Sequence, residues 1–327
     1  MSLLAGVREG AARVAEHAQS VRIEREPLER LADELVGELG AGAESAQLDP
    51  AHHHLASEAE TLAYVVTLDA INFGSGWFPV LRKRPGCSGY FTVATALKER
   101  FEAEGAFSAA ELIQLDAEEV GRMLGQDVRH PEVAELMAHF ARALRDLGSF
   151  LGQRHGGHFE QLVASASGSA EALVTELAQM PYYRDVTRYA ASGDRFDVPL
   201  YKRAQLTAAD LAAAFDGSGP GRFDDLAELT IFTDNLVPHV LRCEGVLVYE
   251  AALAERVDSE ERIEAGSSQE VEIRAVALHA VECMVERFRS SGPKPVTAQR
   301  LDYLLWNRGQ RPASKARPRH RARSVFY

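Results

Sequence analysis

Apolar side chains recur along this chain at intervals of three and four residues, the spacing that gathers them on one face of a helix. The pattern predicts amphipathic helices over 3–18 and 27–39, the second with Pro27 in a first-turn position. Ser57, with Glu60 three residues on, predicts a capped start for a helix over 57–72, whose stripe is Leu62, Val65, Val66 and Leu68. Residues 88–104 repeat the pattern around Tyr90, Val93 and Leu97; Ser108 with Glu111 forms a capping box, and Asp116 opens another short helix. A long helix starts at Pro131 and runs to Arg154, stopping at Gly156-Gly157. Further helices fit 168–180, 200–215, 224–233, 237–255, 270–289 and 297–306, with Thr207 and Asp210 as a cap or kink inside the 200–215 run. Period-two alternation is sparse, and Asp194–Tyr201 is the best candidate for a short strand. The expected fold is therefore mainly α, with at most a short β element.

The sharpest break is Asp216-Gly217-Ser218-Gly219-Pro220-Gly221, expected to join two helices. No strand precedes it and no Gly-Lys-Ser/Thr follows, so it lacks the parts of a phosphate-binding loop. A glycine-rich hairpin followed by an acid on the next helix is similar to the arrangement in helix-hairpin-helix base-excision glycosylases. Composition narrows the partners. The 327 residues carry 36 Lys and Arg against 48 Asp and Glu, for a net charge of −12. Seven Lys and Arg and no acid lie between Arg308 and Arg323, so the rest of the chain is more acidic still. An acidic body argues against long nucleic acid as the main partner, since polymer binding relies on neutralising phosphates. The basic tail, 308–327, reads as a solvated end. Three cysteines, Cys87, Cys243 and Cys283, form no CxxC pair and no even framework, as expected in a reducing cytoplasm. The N-terminal residues have no apolar signal core, and no stretch approaches the about 20 apolar residues of a membrane helix. A chain of this size with 46% hydrophobic residues suits one domain over 1–327, divisible into two packed helical lobes of about 1–150 and 151–307.

Candidate chemistry centres on Asp234, in the run FDDLAELTIFTDNLVPHVLRCEGVLVY, between Phe232 and Pro238. Its surroundings are apolar, and an unpaired buried carboxylate is costly. Asp234 is thus a solvated acid or helix cap, or an acid held inside for a purpose. His52-His53-His54 point in different directions if they lie in a loop, and no carboxylate follows at ligand spacing, so no metal site is expected there; a single histidine contacting substrate is the functional alternative. His155 and His158 flank two glycines and read as a helix end. No Gly-x-Ser-x-Gly elbow is present.

Eight blocks resemble the queuosine salvage protein family of queuosine 5′-phosphate N-glycosylase/hydrolases: VTLDAINFGSGW at Val66–Trp77, SGYFTVATAL at 88–97, PYYRDVTRY at 181–189, YKRAQLTAADL at 201–211, TIFTDNLVPHVL at 230–241, QEVEIRAVALHAVE at 269–282, LDYLLWN at 301–307 and the closing SVFY. They occur in the family's order across nearly the whole chain. The resemblance implies a helical fold similar to helix-hairpin-helix DNA glycosylases, acting on a small nucleotide rather than DNA. It implies hydrolysis of queuosine 5′-phosphate to queuine and ribose 5-phosphate, by a soluble cytoplasmic enzyme needing no cofactor and no metal. Asp234 is then the catalytic carboxylate, since a fixed negative charge stabilises the oxocarbenium character that builds on the ribose. Asp302 and Asn307 become acceptors for the donors on the base edge. Phe232, Trp306 and Trp77 become stacking faces, His53 a substrate contact, and Lys202 the cation for the 5′-phosphate. Asp69 and Asn72, three apart on a helix face, line or orient the pocket. Two departures stand out: the family's acid-Tyr-Arg-x-Pro-Gln reads Asp234-Asn235-Leu236-Val237-Pro238-His239, and its Trp-Asp near the end reads Trp306-Asn307. The rival readings are a base-excision glycosylase on nucleic acid and a non-catalytic queuine- or nucleotide-binding protein.

Overall fold

The computed structural model describes residues 2–40, 48–191, 194–289 and 295–327. Among these, sixteen α-helices and two two-stranded antiparallel sheets account for the regular structure, so the chain is mainly α as expected. It divides into two compact units, each assembled from segments distant in sequence.

The first unit comprises Met1–Ala46, Asp185–Lys202 and Ala227–Arg323. Its Leu3–His17 helix, capped by the Ser2 hydroxyl on the Ala5 amide (3.1 Å), buries Leu4, Val7, Ala11 and Val14. Val7, Ala11 and Val14 join one apolar core with Leu31, Val240, Leu241, Ile273, Val276, Leu301 and Leu305. The long Ser268–Arg287 helix packs along Leu3–His17. Strand Val21–Ile23 pairs with Leu247–Tyr249, and Val186–Ala191 pairs with Asp194–Pro199. The second pairing bears out the strand expected near Asp194.

Gln47–Arg184, Arg203–Leu226 and Ser324–Tyr327 form the second unit. Helix starts fall where the capping residues put them: Ser57 before Glu58–Ala70, Ser88 before Gly89–Glu104, and full capping boxes at Ser108 and Asp116. The Pro131–Arg154 helix presents Leu136, Phe140, Leu144, Leu147 and Leu151 to the core. Asp225 caps Ala170–Leu177 from outside that helix, accepting from the Ser169 hydroxyl (2.7 Å) and the Ala170 amide (2.5 Å).

Four expectations are corrected. Residues 224–233 form no α-helix: a single 3-10 turn at Leu226–Glu228 leads into an irregular stretch, because Thr230, Ile231 and Thr233 are β-branched and weak helix formers. The glycine-rich turn therefore does not join two α-helices, although it is tight: Gly217 has φ 66°, and a Cβ at Gly221 would run into the Leu211 carbonyl. The expected 237–255 helix is two, Leu236–Cys243 and Ala251–Asp258, parted by Gly245 at φ 78° and the Leu247–Tyr249 strand. The basic tail is a solvated end only in part: Arg311, Lys315 and Arg317 are exposed, but the rest is held to the body. Arg308 pairs with Glu34, Glu38 and Glu244, the Ser314 carbonyl meets His239, the Arg321 carbonyl accepts from the Ile263 amide, and His320 is buried.

Arg203 braces the second unit. Only 1% exposed, it lies between the Phe73 and Tyr183 rings, 4.7 Å from each centroid, and donates to the Asp69 (3.1 Å) and Ala70 (2.7 Å) carbonyls and to the Tyr182 carbonyl. It satisfies the Ala70 carbonyl at the end of Glu58–Ala70 and shares the Asp69 carbonyl with the Asn72 amide. Replacing Arg203 with Met, which keeps bulk but removes the donor to the Ala70 and Tyr182 carbonyls, is expected to destabilise the protein by roughly 2–4 kcal/mol. Chemical denaturation of both proteins measures this; equal midpoints would contradict the clasp.

Candidate active site

A buried irregular segment has no ladder or helix to satisfy its backbone, so each amide and carbonyl needs a side-chain partner. Residues 229–233 of the first unit meet that demand with charged groups. The Phe232 amide donates to Asp302 Oδ1 (2.9 Å), and the Thr233 carbonyl accepts from Arg274 Nε (3.0 Å). Next, Asp234 Oδ1 accepts from the Leu236 amide (2.6 Å), which fixes the carboxylate at the start of the Leu236–Cys243 helix. Asp234 thus precedes the N-cap residue Asn235 and is half-buried.

Arg274 projects from the Ser268–Arg287 helix and is 1% exposed. Its guanidinium meets Asp185 in a two-pronged pair, Nη1 to Oδ1 at 3.0 Å and Nη2 to Oδ2 at 2.6 Å, with Glu270 at 3.6 Å. Asp185 Oδ2 also accepts the Lys202 amide (3.2 Å), at the first residue of the Lys202–Ala214 helix. One ion pair therefore locates both the residue before Asp234 and the backbone of Lys202.

Asp302 lies on the Ala298–Gly309 helix and is buried. Burial pushes its carboxyl up to about 7; nearby Asp234 adds to the rise, while the Phe232 amide and the Lys202 ammonium act against it. Asp302 therefore feels the charges of both Asp234 and Lys202, and Lys202 is itself 6% exposed. Trp306, one helical turn beyond Asp302, is 37% exposed, and Asn307 follows it.

The remaining expected site residues belong to the second unit. His53 closes the short Pro50–His53 helix. Both its ring nitrogens are engaged, Nδ1 with the Asp49 carbonyl (3.1 Å) and Nε2 with the Tyr90 hydroxyl (2.8 Å). Burial lowers it to about 4, so the ring is neutral, donating from Nδ1 and accepting at Nε2. Asp69, wholly buried, accepts from the Asn72 amide (3.3 Å), and its charge helps raise the Tyr90 and Tyr183 hydroxyls, which burial has already raised. Trp77 is a core ring, 2% exposed, with its indole N–H on Glu135 (2.8 Å) and its face against His139. Among the described residues no group of three or more His, Cys, Asp and Glu could hold a metal ion. Two surface clefts of this unit, about 670 and about 730 Å³, are lined by none of the expected site residues.

Sequence reading assigned no role to Arg274, Asp185 or Tyr90. The available signal was an arginine amid Val271, Ile273, Ala275 and Val276, where a helix facing apolar neighbours has no ordinary place for a charge.

Comparison with known proteins adds a separate line. A family model described as queuosine salvage protein matches residues 52–327. A Sphaerobacter thermophilus protein named queuosine 5′-phosphate N-glycosylase/hydrolase is 36% identical, over 98% of both chains. Proteins of the same name from Dictyostelium discoideum (32%, over 82% of this chain and 78% of the relative) and Bos taurus (30%, over 98% of both) are also similar.

The folded protein keeps the Asp302 proton up to about 7, whereas the unfolded chain releases it near the ordinary value of about 4. Stability from this group is therefore full at low pH and is lost as pH rises across that interval. In Asp302→Asn the amide oxygen can still accept from Phe232, but the titration is gone. Thermal melts at successive pH values should show the wild type losing stability relative to the variant between about pH 4 and 7, then running parallel. A constant difference across the whole range would contradict the assignment.

Proposed function

The chain belongs to the queuosine salvage protein family, and from that premise we propose that it hydrolyses the N-glycosidic bond of queuosine 5′-phosphate, releasing queuine and ribose 5-phosphate. The reading is supported by Asp302, which holds the Phe232 amide and feels the charges of Asp234 and Lys202, beside a segment whose Thr233 carbonyl is held by Arg274.

The chemistry follows from the substrate. In a 7-deazaguanine nucleoside the ring position normally protonated to loosen a purine is carbon, so the reaction leans on the sugar side. As the C–N bond stretches, positive charge grows at C1′ and its ring oxygen. A fixed carboxylate such as Asp234 stabilises that charge and can align the attacking water. Water adds its oxygen to C1′; its proton and the bonding electron pair leave with the base.

Asp302 is proposed to receive the base edge. Its Oδ1 already holds the Phe232 amide, leaving Oδ2 for a donor at N1 or the 2-amino group. Such donors favour the ionised carboxylate that burial opposes, so base binding and Asp302 ionisation support each other. The Phe232 ring and the exposed Trp306 are proposed as stacking faces, with Asn307 as a further acceptor. A small nucleotide fits the acidic chain better than a polymer.

The test is release of free queuine from queuosine 5′-phosphate by wild type and Asp234→Asn, with EDTA present. The wild type should release base, and the variant should be slower by ~10²–10³ or more. Equal release by both would move the catalytic role away from Asp234. Queuine binding without release by either would favour the binding-protein reading.

A further inference from the structure

Left-handed backbone strains any residue but glycine, and among the described residues four others adopt it. They are Ser167, Tyr201, Asp216 and Glu260, at φ 51°, 49°, 49° and 59°. Three of them lie two residues beyond the end of a helix, after Ser165, Ala214 and Asp258, where this conformation is a common stop. Tyr201 is different. It stands directly before the Lys202–Ala214 helix, at a position that ordinarily takes extended backbone and a short polar side chain. A bulky aromatic in left-handed backbone persists only where its surroundings hold it.

Asp185 supplies that hold. The ladder between Val186–Ala191 and Asp194–Pro199 runs on through Leu200, whose amide donates to the Asp185 carbonyl (2.9 Å). The Tyr201 amide reaches the same carbonyl (3.4 Å), and the Lys202 amide reaches the Asp185 carboxylate (3.2 Å). Asp185 thus does for the first helical amide what a capping side chain at residue 201 would do. Arg274 fixes that carboxylate in turn, by two hydrogen bonds of 3.0 and 2.6 Å.

Lys202 is 6% exposed, an unusual state for a lysine. The start of a helix is also the wrong end of its dipole for a cation, so local energetics would send this side chain into water. We propose that Tyr201 is a positioning residue: its left-handed backbone, held by Asp185, turns Lys202 into the interior of the first unit instead of into solvent. For its catalytic consequence the inference rests on the hydrolase reading above. Ionised Asp302 is the form proposed to receive the base edge, and the charge of Lys202 favours that form. The strained turn then keeps a cation where the helix alone would not.

Tyr201 also packs against the apolar core of the first unit, so its ring and its backbone are separable causes. The experiment compares wild type with Tyr201→Gly, Tyr201→Ala and Tyr201→Val, which all lack the ring but differ in tolerance of left-handed backbone. It measures kcat/KM for queuosine 5′-phosphate and the pH dependence of thermal melts, each protein beside the same chain carrying Asp302→Asn. The efficiency kcat/KM should fall in the order Gly, Ala, Val, with glycine about tenfold or more above valine. Besides the Phe232 amide, Asp234 and Lys202 are the groups acting on Asp302, and Lys202 holds its carboxyl down. The upper end of the Asp302 titration, about 7 in wild type, should therefore rise in the valine variant and stay near 7 in the glycine variant. A packing role predicts the reverse order, with valine, the largest apolar replacement, nearest to wild type. That order, or an unmoved Asp302 titration in folded Tyr201→Val, overturns the proposal. Should the valine variant not fold, Tyr201→Ala against Tyr201→Gly makes the same comparison. Wild type that cleaves no substrate would sink the hydrolase reading instead, and the Asp302 titration then decides the role of Tyr201 alone.

Discussion

The buried pair between Asp185 and Arg274 is the constraint on which the rest of the candidate site depends. Both side chains are almost wholly removed from water, and each uses its remaining hydrogen-bonding capacity on backbone: Arg274 on the Thr233 carbonyl, Asp185 on the Lys202 amide. A pair of this kind adds little net stability, because desolvation offsets most of the attraction. Breaking it is another matter, since it leaves buried charge less well compensated, with only Glu270 left beside Arg274 if Asp185 is lost. What the pair supplies is position. It joins the Val186–Ala191 hairpin, the Ser268–Arg287 helix and the irregular segment before Asp234 at one point. No helix or sheet could hold that segment, so its geometry is as rigid as these side chains make it.

Around this frame the charges are graded. Asp302, in the driest position, is driven towards its neutral form, partly by Asp234. Asp234 stands nearer to solvent. Two carboxylates in unlike surroundings can take unlike roles, one reading the base and one facing the sugar. The cations differ in the same way. Arg274 and Arg203 are consumed in structure, one on an acid and carbonyl and the other on carbonyls between aromatic rings. Lys202 is a cation whose charge acts on Asp302.

Much of the helical framework was legible because capping is local chemistry. Ser57, Ser88, Ser108, Asp116 and Pro131 announce helix starts within a few residues, and the structure places them there. The run before Asp234 misled, since Leu226, Leu229, Ile231 and Phe232 lie at helical spacing while the β-branched residues between them favour extended backbone. Gly245 lies inside the expected 237–255 helix, and its left-handed conformation ends one helix and allows a strand to follow. Asp234 stands out in sequence as an acid in an apolar run, whereas Asp302, Phe232 and Lys202 are proposed only through the motif blocks. Arg274 was missed because composition reports how many charges a chain has, not which of them find partners. Pairing of Arg274 with Asp185 spans 89 residues, and nothing local encodes it. The seven basic residues of the tail look alike in sequence, yet Arg308 is held by three glutamates whereas Arg317 is exposed.

Arg274 holds the carbonyl of Thr233, the residue before Asp234, and we propose that catalysis depends on this hold. The most direct test measures turnover at saturating queuosine 5′-phosphate and, separately, the Kd for queuine in wild type and Arg274→Lys, both shown to be folded at the assay temperature. Lysine keeps the charge but cannot span Asp185 and the Thr233 carbonyl together, so turnover should fall by about tenfold or more while Kd changes by less than about threefold. A folded variant with wild-type turnover, or with turnover and binding reduced by the same factor, would contradict it.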